Sequence, residues 1–230
     1  MLRARLLTLV LLVLAPLLSA CAGDEPTIAL LVADGSDTAS RAVDAEAFTE
    51  RVEATCDECR VAVYDAEGDA AAQESQAREA EAASADVIVV VPVDVDELAS
   101  LTARDLPVVS MGEPVPASDR FVGLERGEVV RQEGSDIQAA RNLVLGDEKT
   151  MTYVPTRAMS EQAADLAVAY LADNPVEGGE DVDGIESWLY PAQDVTIDTL
   201  TSVLVAQGVL TLDELCDGST EKDCARLGIR

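Results

Sequence analysis

The sequence predicts an α/β fold: a parallel sheet with helices on both faces. Three observations lead there. Short, almost wholly apolar runs, such as TIALLVA at 27–33 and VIVVV at 87–91, alternate with longer segments of helical spacing. The links from helix to strand are short. The composition, 48% hydrophobic and 26% charged, is that of a chain that can bury a core. Strands covered on both faces lose the in–out alternation and read as continuous apolar runs, which is the signature of parallel βαβ units.

In chain order, the run at 27–33 is a buried strand, and 38–55 is a helix with Ala42, Ala45, Phe48 and Val52 at helical spacing. RVAVYD at 60–65 is a second strand, closed by Glu67-Gly68-Asp69, and Asp69 is the N-cap of an alanine-rich helix over 70–84. The third strand, 87–91, runs into Pro92-Val93-Asp94, followed by a short helix over 95–102 and a strand over 107–111. A fifth strand covers 120–124, then come a helix over 127–145, a strand over 151–154 and a helix over 160–171. Between 174 and 184 the composition turns to Pro, Gly and acid, marking a loop or linker. Residues 187–190 read as a further strand, and 196–206 and 211–215 as helical, before a loop bounded by Cys216 and Cys224.

Ligands of open parallel sheets sit at the carboxyl ends of the strands. Those ends are 34–37, 65–68, 92–94, 111–114 and 124–126, and none is a glycine-rich phosphate cradle. Charge narrows the partners further. With 16 Lys and Arg against 44 Asp and Glu, the formal net charge is −28, which repels nucleic acid and anionic headgroups. The chain has no histidine, so Ser-His-Asp and Cys-His catalysis and histidine metal sites are excluded. Paired carboxylates are uninformative among so many acids, and the expectation is a non-enzymatic protein with no cofactor and no metal.

The amino terminus predicts the compartment. Arg3 and Arg5 precede an apolar stretch over 6–18 that is shorter than the ~20 residues a spanning helix needs, so it reads as a secretory signal. Leu18-Ser19-Ala20-Cys21 matches a bacterial lipobox, making Cys21 the expected lipid attachment site and 1–20 the signal peptide. A lipid there anchors the protein outside the cytoplasm without a transmembrane helix. Of the other cysteines, Cys56 and Cys59 form a CxxC, while Cys216 and Cys224 lie near the carboxyl end. Three pairings are possible, and the two local bridges are favoured. The CxxC closes a helix and precedes a strand, the reverse of a thioredoxin-type motif, so it reads as a structural staple.

Four stretches in order carry a family resemblance. YDAEGDAAAQESQAREAEAASADVIVVVPVDVDELASL (64–101) and FVGLERGEVVRQEGSDIQAARNL (121–143) are followed by KTMTYVPTRAMSEQAADLAVAYLADNP (149–175) and SWLYPAQDVTIDTLTSVLVAQGVLTLDELC (187–216). Together they resemble sugar-binding lipoproteins of ABC importers, the type I periplasmic binding proteins of the xylose- and ribose-binding kind. The resemblance implies a monosaccharide ligand held between two lobes and an ABC permease as partner. Between the second and third stretches the family carries most of a second lobe, whereas here five residues separate Leu143 from Lys149. The layout it implies is a tether over 21–26, one lobe over 27–175 with a deletion near 144–149, and a segment over 176–230 packed on that lobe. The strand over 151–154 is then expected in the same single sheet.

By the same resemblance, the contacts in the intact lobe are Asp34, Asp37, Arg41, Asp94, Glu113, Glu125 and Arg126. Several depart from the family pattern. Thr38-Ala39-Ser40-Arg41 stands where the family has an arginine and an aromatic, Gly112-Glu113 where it has Asp-Arg, and Leu124-Glu125-Arg126 where it has a Phe-Asp-Asn-like segment. Weak or altered carbohydrate binding is the resulting expectation. The alternative is a protein-docking role for the former cleft face, toward a partner or a second copy.

Overall fold

The computed structural model describes residues 25–33, 43–100, 106–125 and 137–229. β1 (Thr27–Val32) is buried at every position. Because side chains alternate across a strand, one apolar run feeds two layers. Ile28, Leu30 and Val32 meet α1 (Ala45–Thr55) on one face, while Ala29 and Leu31 face the opposite apolar layer. β2 (Arg60–Asp65) pairs in parallel with β1. α2 (Ala70–Ala82) starts at the expected cap, where Asp69 Oδ1 accepts from the Ala71 and Ala72 amides at 2.9 and 3.0 Å.

β3 (Val87–Val90), β4 (Val108–Gly112) and β5 (Arg120–Leu124) extend the parallel sheet. A 3₁₀ turn at Glu97–Ser100 occupies part of the stretch expected as a short helix. Gly123 in β5 lies under the Phe121 ring; a Cβ there would come within 2.1 Å of Phe121 Cζ, so only glycine fits. After α3 (Ile137–Leu145) and β6 (Thr150–Tyr153), α4 (Thr156–Leu171) returns to lie beside α1 and cover β3, β4 and β5. β7 (Glu180–Val182) and β8 (Ile185–Tyr190) form a hairpin, and β8 adds in parallel to β5. The sheet order is β2-β1-β3-β4-β5-β8-β7, with only β7 antiparallel.

The strand layout differs from the expected one, beginning at β6. β6 does not enter the large sheet; it pairs antiparallel with β9 (Gln193–Thr196) in a separate two-stranded sheet. The reason lies in its side chains. Met151 and Tyr153 are buried and Thr150 is exposed, an alternation that suits a sheet covered on one face only. Residues 176–190 are correspondingly not an appendage, since β7 and β8 complete the large sheet. The lobe therefore comprises 25–125 together with 156–190 among the described residues, and 137–153 with 193–229 make a second, smaller unit.

That unit has its own apolar cluster: Ala140, Leu143 and Val144 of α3, Met151 and Tyr153 of β6, Val195 of β9, then Leu200, Leu204, Leu210, Leu215 and Cys224. A π-helical turn at Thr201–Val205 supplies Leu204. α5 (Leu212–Leu215) opens with a capping box between Thr211 and Glu214, and α6 (Glu221–Leu227) follows where the sequence reads as a loop. Cys216 is bonded to Cys224 and Cys56 to Cys59, with Cα–Cα distances of 5.8 and 5.4 Å. Gly146, at φ +82, ends α3 and lets the Gly146 and Asp147 amides turn back to the Asn142 carbonyl, both at 3.0 Å.

No helix among the described residues is long and apolar enough to cross a membrane. Large apolar side chains are exposed at only a few separate places there, namely Val63, Ile137, Val176 and Leu227.

Candidate ligand site

Strands that run parallel bring their carboxyl ends to one edge. Asp94 follows β3, Glu113 follows β4 and Glu125 follows β5, and these strands are neighbours in the sheet. At roughly 4.8 Å between adjacent strands, the three carboxylates start from points spread over ~10 Å. All three residues are exposed. Gly112, at φ +78, turns the chain so that the Glu113 amide reaches the Met111 carbonyl at 2.9 Å. Glu125 is tied by its backbone, its amide donating to the Tyr190 carbonyl at 3.0 Å. Asp94 is the most constrained: its Oδ1 accepts from the Asp96 and Glu97 amides at 2.9 and 3.3 Å.

The loop that carries Asp94 is held from beneath. Gln73 of α2 is fully buried; its Nε2 donates to the Val91 carbonyl and its Oε1 accepts from the Val93 amide, both at 2.8 Å. One turn on, Gln76 Nε2 donates to the Asp65 carbonyl at 2.6 Å, at the end of β2. Sequence reasoning missed Gln73, although a signal was present. Gln73, Ala77 and Ala80 form the buried stripe of α2, and a polar residue in such a stripe needs a partner.

Both returns of the chain are at this same edge. α4 begins beside α1, where the Asp44 amide donates to Ser160 Oγ at 2.8 Å. β8 ends at Tyr190, two residues before β9 enters the small sheet. The second unit thus hangs from the edge that bears Asp94, Glu113 and Glu125. At that edge Tyr190 is partly buried: its ring packs with the α1–α4 layer and its hydroxyl donates to Gln162 Oε1 at 3.4 Å. Burial, with Asp165 and Glu161 nearby, pushes that hydroxyl's pKa up. Tyr153, in the second unit, is likewise raised, first by burial and against the pull of Arg157.

Of the residues singled out by sequence, the structure brings Asp94, Glu113 and Glu125 to one edge. Asp34, Asp37, Arg41, Arg126 and the lipid-site Cys21 lie outside the described residues. Chemically, carboxylate oxygens accept hydrogen bonds, which suits hydroxyl donors and disfavours anions. No group of three or more His, Cys, Asp or Glu among the described residues is placed to hold a metal ion.

No family model and no curated protein sequence matches the chain. Solved structures do. An ABC transporter solute-binding protein from Clostridium phytofermentans, with β-D-glucose bound, superposes at a TM-score of 0.66 and 10% identity, over 82% of this chain and 99% of that one. This chain has the fold of a type I periplasmic binding protein. A solute-binding protein from Bacillus halodurans, with myo-inositol bound, matches at 0.57 and 12% identity over 80% of this chain and 98% of that one. A third match is to the TorS sensor domain–TorT complex, at 0.56 and 10% identity over 74% and 92% of the two chains. In this version of the periplasmic-binding-protein fold the first lobe keeps a seven-stranded sheet, and the second has two strands among the described residues.

Proposed function

We propose that the protein is a non-enzymatic, extracytoplasmic solute-binding lipoprotein that recognises a neutral polyol, a monosaccharide or a cyclic polyol, without a cofactor. The observation that carries this reading is the row of Asp94, Glu113 and Glu125 on adjacent strand ends, at the edge from which the second unit hangs. Hydroxyls donate to such carboxylates, and charge-assisted hydrogen bonds of this kind are among the stronger ones. The glucose and myo-inositol bound in similar structures belong to the same chemical class. The reduced second lobe leaves the ligand more open to water, so affinity in the micromolar-to-millimolar range is expected. Asp34, Asp37, Arg41 and Arg126, outside the described residues, complete the proposed contact set, and an ABC permease is the proposed membrane partner.

Calorimetry of the mature protein against pentoses, hexoses and inositol at millimolar concentration tests the binding. Saturable heat from at least one supports it, and heat from none rejects it. The anchor is tested separately. Cys21→Ser is expected to abolish lipid labelling and release the protein from membranes, and a membrane-bound, labelled variant would contradict the lipobox reading.

A second reading has its own support. One similar chain belongs to a complex of a TorS sensor domain with TorT, which supports docking to a partner protein as the alternative to transport. Capture of a sensor or permease by the wild-type protein, undiminished when Asp94, Glu113 and Glu125 are replaced together, favours docking over solute binding.

A further inference from the structure

The structure assigns Gln73 as a positioning residue for the Asp94 carboxylate, turning the end of β3 into a preformed acceptor for ligand hydroxyls. The inference rests on the solute-binding reading above and adds a residue that never touches the ligand.

The geometry has three links. Gln73 is fully buried on α2 and uses both ends of its amide, as donor to the Val91 carbonyl and as acceptor from the Val93 amide, each at 2.8 Å. That pair fixes the backbone on both sides of Pro92, where the chain leaves the sheet and needs other partners for its polar groups. Asp94 comes next. Its Oδ1 is held by the Asp96 and Glu97 amides, at 2.9 and 3.3 Å, which sets the side-chain torsion. Oδ2 meets no donor among the described residues, and Asp94 is exposed. One oxygen therefore orients the carboxylate and the other is presented to solvent. A site whose contact group is locked by a supporting layer loses less rotamer freedom on binding.

Two substitutions separate the roles. Asp94→Asn keeps Oδ1 for the turn and replaces the free acceptor by a donor. Gln73→Leu keeps the volume and removes both clamps. Each is expected to weaken monosaccharide binding about tenfold, the scale of one hydrogen bond to a charged group. Because Gln73 acts through Asp94, the double variant is expected to bind no worse than the weaker single one. A Gln73→Leu protein with wild-type affinity, or a double variant about a hundredfold weaker, overturns the assignment.

Gln73→Glu supplies a pH readout and guards against a Leu variant that fails to fold. Burial raises the pKa of a carboxyl group. Below that pKa the neutral acid mimics the amide, donating to the Val91 carbonyl and accepting from the Val93 amide. Above it the carboxylate faces the Val91 carbonyl with no proton to donate. Gln73→Glu is expected to bind nearly as wild type at pH 5 and to lose affinity by pH 8, whereas a pH-independent ratio to wild type contradicts the positioning role. Amide hydrogen exchange distinguishes failure of this inference from failure of the function. If the wild type binds no monosaccharide, the solute-binding reading falls. The clamp is then upheld by faster exchange at Val93, Asp96 and Glu97 in Gln73→Leu with β3 unchanged, and refuted by unchanged exchange at those three amides.

Discussion

The two units of this chain are stabilised in different ways. The large lobe surrounds a sheet buried on both faces, with Phe48 and Leu30 fully buried on one side and Leu31, Ile88 and Leu98 on the other. The small unit covers one face of two strands with a single cluster. Isolated pairs of strands are marginal, and small units need staples. Here the staples are the Cys216–Cys224 bond, the capping box of Thr211 and Glu214, and the glycine-ended helices α3 and α6. The open face of its sheet carries Thr150 and Asp194, both exposed, so the side with no helix over it is polar. A lobe that had simply lost its neighbours would expose apolar side chains there. The second unit presents polar residues there instead.

Core truncation gives the largest expected effect. Phe48→Ala is expected to cost about 4 kcal/mol, measured by urea denaturation, with amide protection lost across β1, α1 and α4 while α5 and α6 keep theirs. Loss of protection in both units together would break the comparison by making them one cooperative body. Next comes the staple. Replacing Cys216 and Cys224 by Ser is expected to cost about 2–3 kcal/mol, through the eight-residue separation they close, and to unfold the small unit alone. An unchanged small unit would mean that its cluster suffices without the bond.

Acid sharpens the contrast less severely, because each unit has one carboxylate with a lowered pKa. The Thr211 amide and then its hydroxyl hold Glu214 below the usual range; the Gly178 amide, with Gly179 and Arg120, does so for Glu186. A group depressed in the folded state contributes stability that is complete above its unfolded pKa and is lost as pH falls through the folded one. Both units are therefore expected to loosen below the ordinary carboxylate range. Glu214→Gln should flatten that dependence for α5 only, as read by pH-dependent exchange; flattening in both units would show that they are coupled. The smallest effect is expected at the bidentate Arg51–Asp165 pair linking α1 to α4, at 2.7 and 2.8 Å. It is solvent-exposed, so Arg51→Ala should shift stability by about 0.5 kcal/mol or less. A loss above about 2 kcal/mol would mean that the α1–α4 layer depends on charge more than on packing.

How legible each region was follows from the same physics. β5 and the Asp69 cap lie where the pattern put them, because burial forces an apolar run and an exposed helix start needs a cap; β2, an edge strand with no fully buried residue, was legible from its alternating valines and tyrosine. β9 was not read as a strand, and only its last residue, Thr196, falls in the helix expected over 196–206, because QDVT has one buried residue and short pairing partners leave little trace. Thr150-Met151-Thr152-Tyr153 did carry the signal of a one-sided sheet, an alternation foreign to a central parallel strand. In the proposed site, the shared edge of Asp94, Glu113 and Glu125 was legible because parallel topology gathers the carboxyl ends of the strands. Gln73 was hidden in an alanine-rich helix, where the residue's importance depends on a carbonyl 18 and an amide 20 residues away.

The most direct test is an amide-shift map of the mature protein titrated with a monosaccharide that gives heat in calorimetry. The expected result is saturable shifts at Val93, Asp94, Glu113 and Glu125, with β7 and α6 silent. Shifts centred on the open face of β6 and β9, with the carboxyl edge of the large sheet unmoved, would contradict the placement of the site.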